Sequence, residues 1–226
     1  KALNSQPGEH VLDLCAAPGS KSTQIAAQMQ GEGLLLVNEF SASRAKILVF
    51  NLQKIGVPHG ILAHCNGEKI GALLPNFFDK ILVDAPCTGE GTFRKDSKAL
   101  DHWSLKKIKS AAILQQSLLE SAFLALKEGG TIIYSTCTLG PEENEMVVEK
   151  FLEKHPEDAQ ILPLSDLFLG AEKCPGLSQL KEGKKEGKED IAFPHGDKML
   201  RILPHIFNSE GFFVAALQKT KFIFAP

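Results

Sequence analysis

The chain has 226 residues, with 25 Lys and Arg against 27 Asp and Glu, 43% hydrophobic residues and a formal charge of −2. That length suits one large or two small domains with a full hydrophobic core, and the 23% of charged residues with a mean hydropathy of −0.05 excludes a disordered acidic tail. No apolar run reaches the roughly 20 residues of a membrane span, and the near-neutral charge weighs against a free-standing nucleic-acid binder.

Apolar blocks alternate with amphipathic segments. His10–Leu14 and Leu34–Asn38 are predicted strands, followed by helices over Ser20–Gln30 and Ser41–Ile55. Ile61–His64 and Lys80–Asp84 are again strand-like. Ser104–Leu126 is the longest predicted helix, with Leu105, Ile108, Ala112, Leu119, Ala122 and Leu126 at helical spacing. Lys127-Glu128-Gly129-Gly130 is expected to stop it, and the β-branched Thr131–Thr136 to form the next strand. Pro141 is expected to open a helix whose first-turn acids, Glu142, Glu143 and Glu145, complement the helix dipole. Beyond about residue 165 the pattern decays into an expected surface excursion to about residue 211, including a solvated charged loop at Lys181–Asp190. Gly211–Leu217 returns as a late strand. This alternation predicts an α/β fold with a doubly wound parallel sheet.

Five cysteines, an odd number without a C-x-x-C pair, argue against a disulfide framework or zinc ribbon and for reduced thiols in a cytoplasmic protein. No histidine, His102 included, has ligand spacing, so no metal is expected. Lys1 in place of Met suggests a fragment of a longer protein.

In doubly wound sheets, ligands bind at the carboxyl ends of the strands. Four segments fall there. Asp13-Leu14-Cys15-Ala16-Ala17-Pro18-Gly19-Ser20-Lys21 runs from strand through a tight turn into a helix, where small residues and a helix N-terminus suit an anionic group. It is neither G-x-G-x-x-G nor a P-loop, and a plain strand–helix turn is the competing reading. Glu39, at the next strand end, is placed to grip ribose hydroxyls or is a surface carboxylate. Turn and acid together fit an adenosine-bearing cofactor without pyrophosphate, with S-adenosyl-L-methionine as the leading candidate. The remaining two, Asp84-Ala85-Pro86-Cys87-Thr88-Gly89-Glu90-Gly91 and Ser135-Thr136-Cys137-Thr138, each set a cysteine at a strand end facing a cleft.

DLCAAPGSK, DAPCTGEG and YSTCT together resemble the Sun-type RNA cytosine-C5 methyltransferases. NEFSASR (38–44), LPLSDLF (162–168) and EGFFVAAL (210–217) narrow the likeness to the bacterial RsmF type acting on 16S ribosomal RNA. The resemblance implies a Rossmann-like methyltransferase with a late antiparallel strand. It implies Cys137 as the nucleophile toward cytosine C6, Cys87 as the group assisting adduct breakdown, and Asp84 as a contact to the cytosine edge and the cofactor. Cys15, Ala16, Ala17, Pro18, Gly19, Ser20 and Lys21 would cradle the methionine moiety of the cofactor and Glu39 its ribose. The family acid that contacts adenine is matched here by Asn66, an uncharged acceptor; an ordinary Asn-Gly turn is the alternative.

Ribosomal RNA or the small ribosomal subunit is the implied partner, and the whole chain is expected to be the catalytic core, with the family's flanking RNA-binding segments outside it. Residues 92–109 hold six Lys and Arg against two Asp, either a phosphate-tracking patch or a solvated helix start. Trp103 is either a base-stacking platform or a packing residue. Transfer RNA as substrate, a DNA cytosine methyltransferase, and a non-catalytic RNA-binding assembly factor are the rival readings.

Overall fold

The computed structural model describes residues 1–95, 103–167, 170–181 and 190–220. His102, the middle of the basic 92–109 stretch, Phe168 and most of the Lys181–Asp190 loop lie outside the described residues.

The chain opens with β1 (His10–Asp13), α1 (Ser20–Met29), β2 (Leu34–Asn38), α2 (Ala42–Ile55), β3 (Gly60–Ala63) and the single-turn α3 (Ile70–Leu73). It continues through β4 (Phe78–Asp84), α4 (Leu105–Ala125), β5 (Leu126–Thr136), α5 (Glu145–Lys154) and β6 (Ala159–Leu162). A two-residue hairpin, β7 (Gln179–Leu180) and β8 (Ile191–Ala192), precedes β9 (Leu200–Ile202), the short α6 (Pro204–Phe207) and β10 (Phe212–Lys219).

The main sheet runs β3-β2-β1-β4-β5-β10-β6, and β9 pairs with β10. The first five strands are parallel, while β10 is antiparallel to β5, β6 and β9. Strand order reverses between β1 and β4, which makes a crevice at their carboxyl ends.

Both faces of the sheet are buried, as a parallel sheet requires. Leu12, Leu36, Ile81, Val83, Ile132 and Tyr134 face one core with Leu119, Ala122 and Phe151. Their sequence neighbours Val11, Leu35, Val37, Leu82 and Ile133 face the other, with Ile25, Met29, Leu48 and Leu52. This period-two division explains why the strands read as continuous apolar runs.

Three sequence expectations are corrected. First, the helix ends at Ala125 and the chain passes directly into β5, where Leu126 pairs with Phe78. Residues 127–130 form an irregularity inside the strand, because the next pair is Lys80 with Thr131. Lys127 there binds Asp79 at 2.7 Å. Second, Pro141 opens a 3-10 turn ending at Glu143, and Asn144 separates it from α5. Glu143 lies in that turn rather than in α5, whose first turn keeps Glu145, and both acids are fully buried. Third, the described part of the excursion is packed: Ala171, Cys174, Phe193 and Leu200 are buried, and His195 pairs with Glu149 at 2.8 Å.

Asp13 ends β1 inside the core. Its Oδ2 accepts from the Ser22 hydroxyl at 2.7 Å, whereas Oδ1 has no partner among the described residues. Burial pushes this carboxyl up to about 7. The folded chain therefore holds a proton that the unfolded chain has released from about pH 4 upward, and stability falls as pH rises through that window. Between pH 6 and 8 this group alone is expected to cost about 1 kcal/mol. In Asp13→Asn, the difference in Tm between those two pH values should shrink.

Candidate active site

The turn after β1 is held from several directions. Leu14 N donates to Leu82 O and Ala16 N to Asn38 O, which ties it to both neighbouring strands. Arg44 Nη2 donates to Ala17 O at 2.6 Å, and Asn51 Nδ2 donates to Pro18 O at 2.7 Å, both from α2. The Ala17–Pro18 peptide is cis. Gly19 has φ 109°, and a Cβ there would meet Leu48 Cδ1 at 3.0 Å, so glycine is needed for both conformation and space.

Glu39 follows β2 and is buried. Its Oε1 accepts from Ser41 N at 2.7 Å, and its Oε2 lies 3.5 Å from Arg44 Nη1. Arg44 thus fixes the turn and the acid together. Arg44 ends the NEFSASR segment, yet nothing in its spacing assigns it that task. Asn66 caps the turn at 67–69, with Oδ1 accepting from Glu68 N at 3.0 Å and Nδ2 donating to Glu68 Oε2 at 2.9 Å.

A cleft of about 710 Å³ opens at the strand ends, within the range of small-molecule sites, roughly 300–1,000 Å³. Cys15, Ala17, Glu39, Asn66, Asp84, Cys87 and Cys137 line it. Ala16, Pro18, Gly19 and Ser20 shape the turn behind it, and Lys21 reaches it through Asp84. Gly67 packs closely into one wall: a Cβ would lie 2.8 Å from Leu118 Cδ2 and 3.4 Å from Leu14 Cδ1, two lining residues that would have to shift. The acid at one end, apolar walls and small turn residues fit an adenosine-bearing cofactor.

Asp84 ends β4, paired with Ser135 on β5. Its Oδ2 accepts from Lys21 Nζ at 2.7 Å and its Oδ1 from Ser135 Oγ at 2.7 Å. Lys21 Nζ also lies 5.1 Å from the centre of the Phe212 ring. Beyond Asp84, the Sγ atoms of Cys87 and Cys137 are 3.2 Å apart. The hydrogen bond between them draws the Cys137 thiol below its ordinary range, against burial and Asp84. The same bond, with burial, pushes Cys87 up. Of the two thiols, Cys137 is the one the surroundings favour for ionisation.

The two cysteine loops are also stitched by backbone. Gly91 N donates to Cys137 O at 2.8 Å, and Gly211 N donates to Gly91 O at 2.9 Å. A Cβ on Gly91 would meet Gly211 O at 2.3 Å.

Arg201 on β9 forms a buried ion pair with Glu145 and donates through Nη1 to Leu139 O at 2.7 Å, two residues past Cys137. Gln115 on α4 donates to Pro86 O at 2.9 Å. Trp103 is 43% exposed and its indole N–H donates to Glu90 Oε1. Sequence reasoning missed Gln115 and Arg201, which lie far from the motifs in the chain.

Residues 1–218 match the family described as "16S rRNA methyltransferase RsmB/F". The chain belongs to that family. RsmB/F-type relatives include the Ribosomal RNA small subunit methyltransferase F of Klebsiella pneumoniae (strain 342), 48% identical over 219 residues, covering 97% of this chain and 42% of that protein. The protein of the same name from Escherichia coli O157:H7 is 47% identical over 215 residues, covering 95% of this chain and 41% of its own length. The chain thus spans about two fifths of these relatives. Among solved structures, a methyltransferase homologue from Pyrococcus horikoshii is 34% identical with TM-score 0.75, covering 96% of this chain and 64% of that one. NSun6 from Pyrococcus horikoshii with SFG, an S-adenosylmethionine analogue, is 28% identical with TM-score 0.73, covering 97% and 50%. The RsmB/F family and these neighbours are S-adenosylmethionine-dependent methyltransferases with this α/β fold.

Removing the buried acid tests the cofactor reading of the cleft. Glu39→Ala is expected to weaken S-adenosylmethionine binding about tenfold or more, since a charged acceptor is lost. Isothermal titration of wild type and variant measures it.

Proposed function

We propose that this chain is the catalytic core of an enzyme that methylates cytosine C5 in 16S ribosomal RNA. The observation that carries the reading is the thiol pair, 3.2 Å apart at adjoining strand ends, opening onto a cleft lined by the buried Glu39.

Cytosine C5 is too weak a nucleophile to take a methyl group unaided. When bound, S-adenosylmethionine supplies an electrophilic methyl group. The Cys137 thiolate adds to C6, forming an S–C6 bond and turning the ring into an enamine whose C5 is nucleophilic. Asp84 holds the cytosine edge, and Lys21 fixes the carboxylate. C5 would take the methyl group as the donor's S–CH3 bond breaks and S-adenosylhomocysteine leaves; a base would then remove the C5 proton, and elimination would break the S–C6 bond to restore the C5–C6 double bond. The departing Cys137 thiolate is received by the Cys87 S–H, which stabilises it as a leaving group and releases the product. Cys15 to Lys21 and Glu39 hold the donor, and Asn66 borders the adenine end.

The small ribosomal subunit is the proposed source of the RNA. None of the described helices is long and apolar enough to cross a membrane. Mass spectrometry of nucleosides after incubating the full-length protein with small ribosomal subunits, and separately with transfer RNA, tests the proposal. Expected is 5-methylcytosine in 16S RNA. Its absence there, or its appearance in transfer RNA alone, would overturn the reading.

A further inference from the structure

Each cysteine is followed by a threonine, and the two threonines touch. Thr88 Oγ1 lies 3.2 Å from Thr138 Oγ1. Thr88 Oγ1 also meets Glu143 Oε1, and Thr138 Oγ1 meets Glu90 Oε2 at 3.1 Å. The result is a linear chain, carboxyl to hydroxyl to hydroxyl to carboxyl, running beside the thiol pair. It has three oxygen–oxygen contacts, but its hydroxyls carry only two protons. With both carboxylates ionised, one contact holds no hydrogen. A third proton completes all three.

The remaining partners say where that proton resides. Glu143 Oε2 already accepts from Thr88 N at 3.1 Å and from Gln115 Nε2 at 2.8 Å. Glu90 Oε2 accepts from Leu139 N at 3.2 Å, and Glu90 Oε1 from the Trp103 indole. Glu143 Oε1 is the one carboxyl oxygen of the four that receives no N–H. Glu143 is also fully buried, whereas Glu90 is partly exposed. Among the described residues no cation pairs with Glu143. The titratable groups around it are Cys87 and Glu90 from the loop after β4, Tyr134 from β5, Cys137 just past its end, and Glu142 and Glu145 from its own segment. Gln115 on α4 is neutral, and Glu145 is neutralised by Arg201. An ionised Glu143 would be a buried charge without a counter-ion.

We infer that Glu143 is a positioning residue held as the neutral acid, whose proton closes the Glu143–Thr88–Thr138–Glu90 chain and so fixes the spacing of Cys87 and Cys137. The inference rests on the proposed cytosine chemistry for its kinetic consequence, and on geometry alone for the proton. Burial, which pushes the Glu143 carboxyl up, agrees with this arrangement.

The test exploits a close isostere. In Glu143→Gln the amide N–H₂ stands where the acid proton stood, and the amide oxygen still accepts from Thr88 N and Gln115 Nε2. In full-length protein acting on small ribosomal subunits, Glu143→Ala should cut methylation about tenfold or more and raise the share of enzyme trapped on RNA. Glu143→Gln should restore most of that loss and remove the wild-type decline at alkaline pH. Should the alanine variant not fold, Thr138→Val serves as the disrupted chain. Infrared difference spectra of wild type against Glu143→Gln, at neutral pH and without RNA, should show one protonated-carboxyl stretch lost. A folded Glu143→Gln as impaired as the disrupted variant, or a difference spectrum in which no protonated-carboxyl band is lost, overturns the inference. If wild type methylates no RNA, the functional reading fails while the infrared result still decides the proton.

Discussion

Cys137→Ala should abolish methyl transfer, with a loss of about a thousandfold or more in labelled methyl incorporated into small-subunit RNA by the full-length protein. The size follows from the absence of a substitute nucleophile. Cys15 lies on the cleft wall, but burial together with Asp13, Asp84 and Glu39 pushes its thiol far up. Cys87 is neighbour to the reacting site, yet its bond to Cys137 and burial push its thiol up. Neither offers a thiolate at the place where Cys137 stands. The same variant should form no covalent adduct with RNA, which a denaturing gel reads directly. An adduct that survived in Cys137→Ala and vanished in a Cys87 variant would reverse the two roles.

The second large effect is of the opposite kind. Cys87→Ser should leave addition to C6 possible and slow the elimination, so that a protein–RNA adduct accumulates about tenfold or more above wild type. A serine hydroxyl reaches less far than a thiol and is a much weaker acid, so the departing thiolate loses its donor. Activity should also move along the pH axis. The Cys87 hydrogen bond holds Cys137 below the ordinary thiol range, so methylation rises with pH early in wild type. In Cys87→Ala that rise should shift to higher pH, because the remaining thiol must lose its proton unaided.

Much of the site was legible because each piece is local in the chain. The cofactor turn, Glu39, Asp84–Cys87 and Ser135–Cys137 each follow a strand whose apolar run marks its own end, and parallel pairing brings those ends to one edge. The partners that set the geometry are distant in sequence. Arg201 reaches Glu145 across 56 positions and Gln115 reaches Glu143 across 28. No periodicity announces such contacts. The acids at 142–145 show the cost of reasoning from helix dipoles alone. Asn144, at φ −117° and ψ −102°, turns the chain there, leaving Glu143 on the cysteine loop and Glu145 on Arg201. Likewise, 127–130 has the composition of a helix stop, but burial of Leu126 against Phe78 draws the strand in ahead of it.

The place of β10 bears on how the protein is made. This strand lies between β5 and β6, and Gly211, just ahead of it, donates its backbone N–H to Gly91 O. A chain emerging from the ribosome has completed both cysteine segments by residue 138, yet β5 keeps one edge unpaired until residues 212–219 follow. Through that interval of synthesis the nascent protein carries an open sheet edge, the kind of surface that invites mispairing. One backbone tie to the Cys87 loop, from Gly211 N to Gly91 O, forms only when this strand slots in, so a chain truncated short of β10 would lack it and leave β5 half-paired.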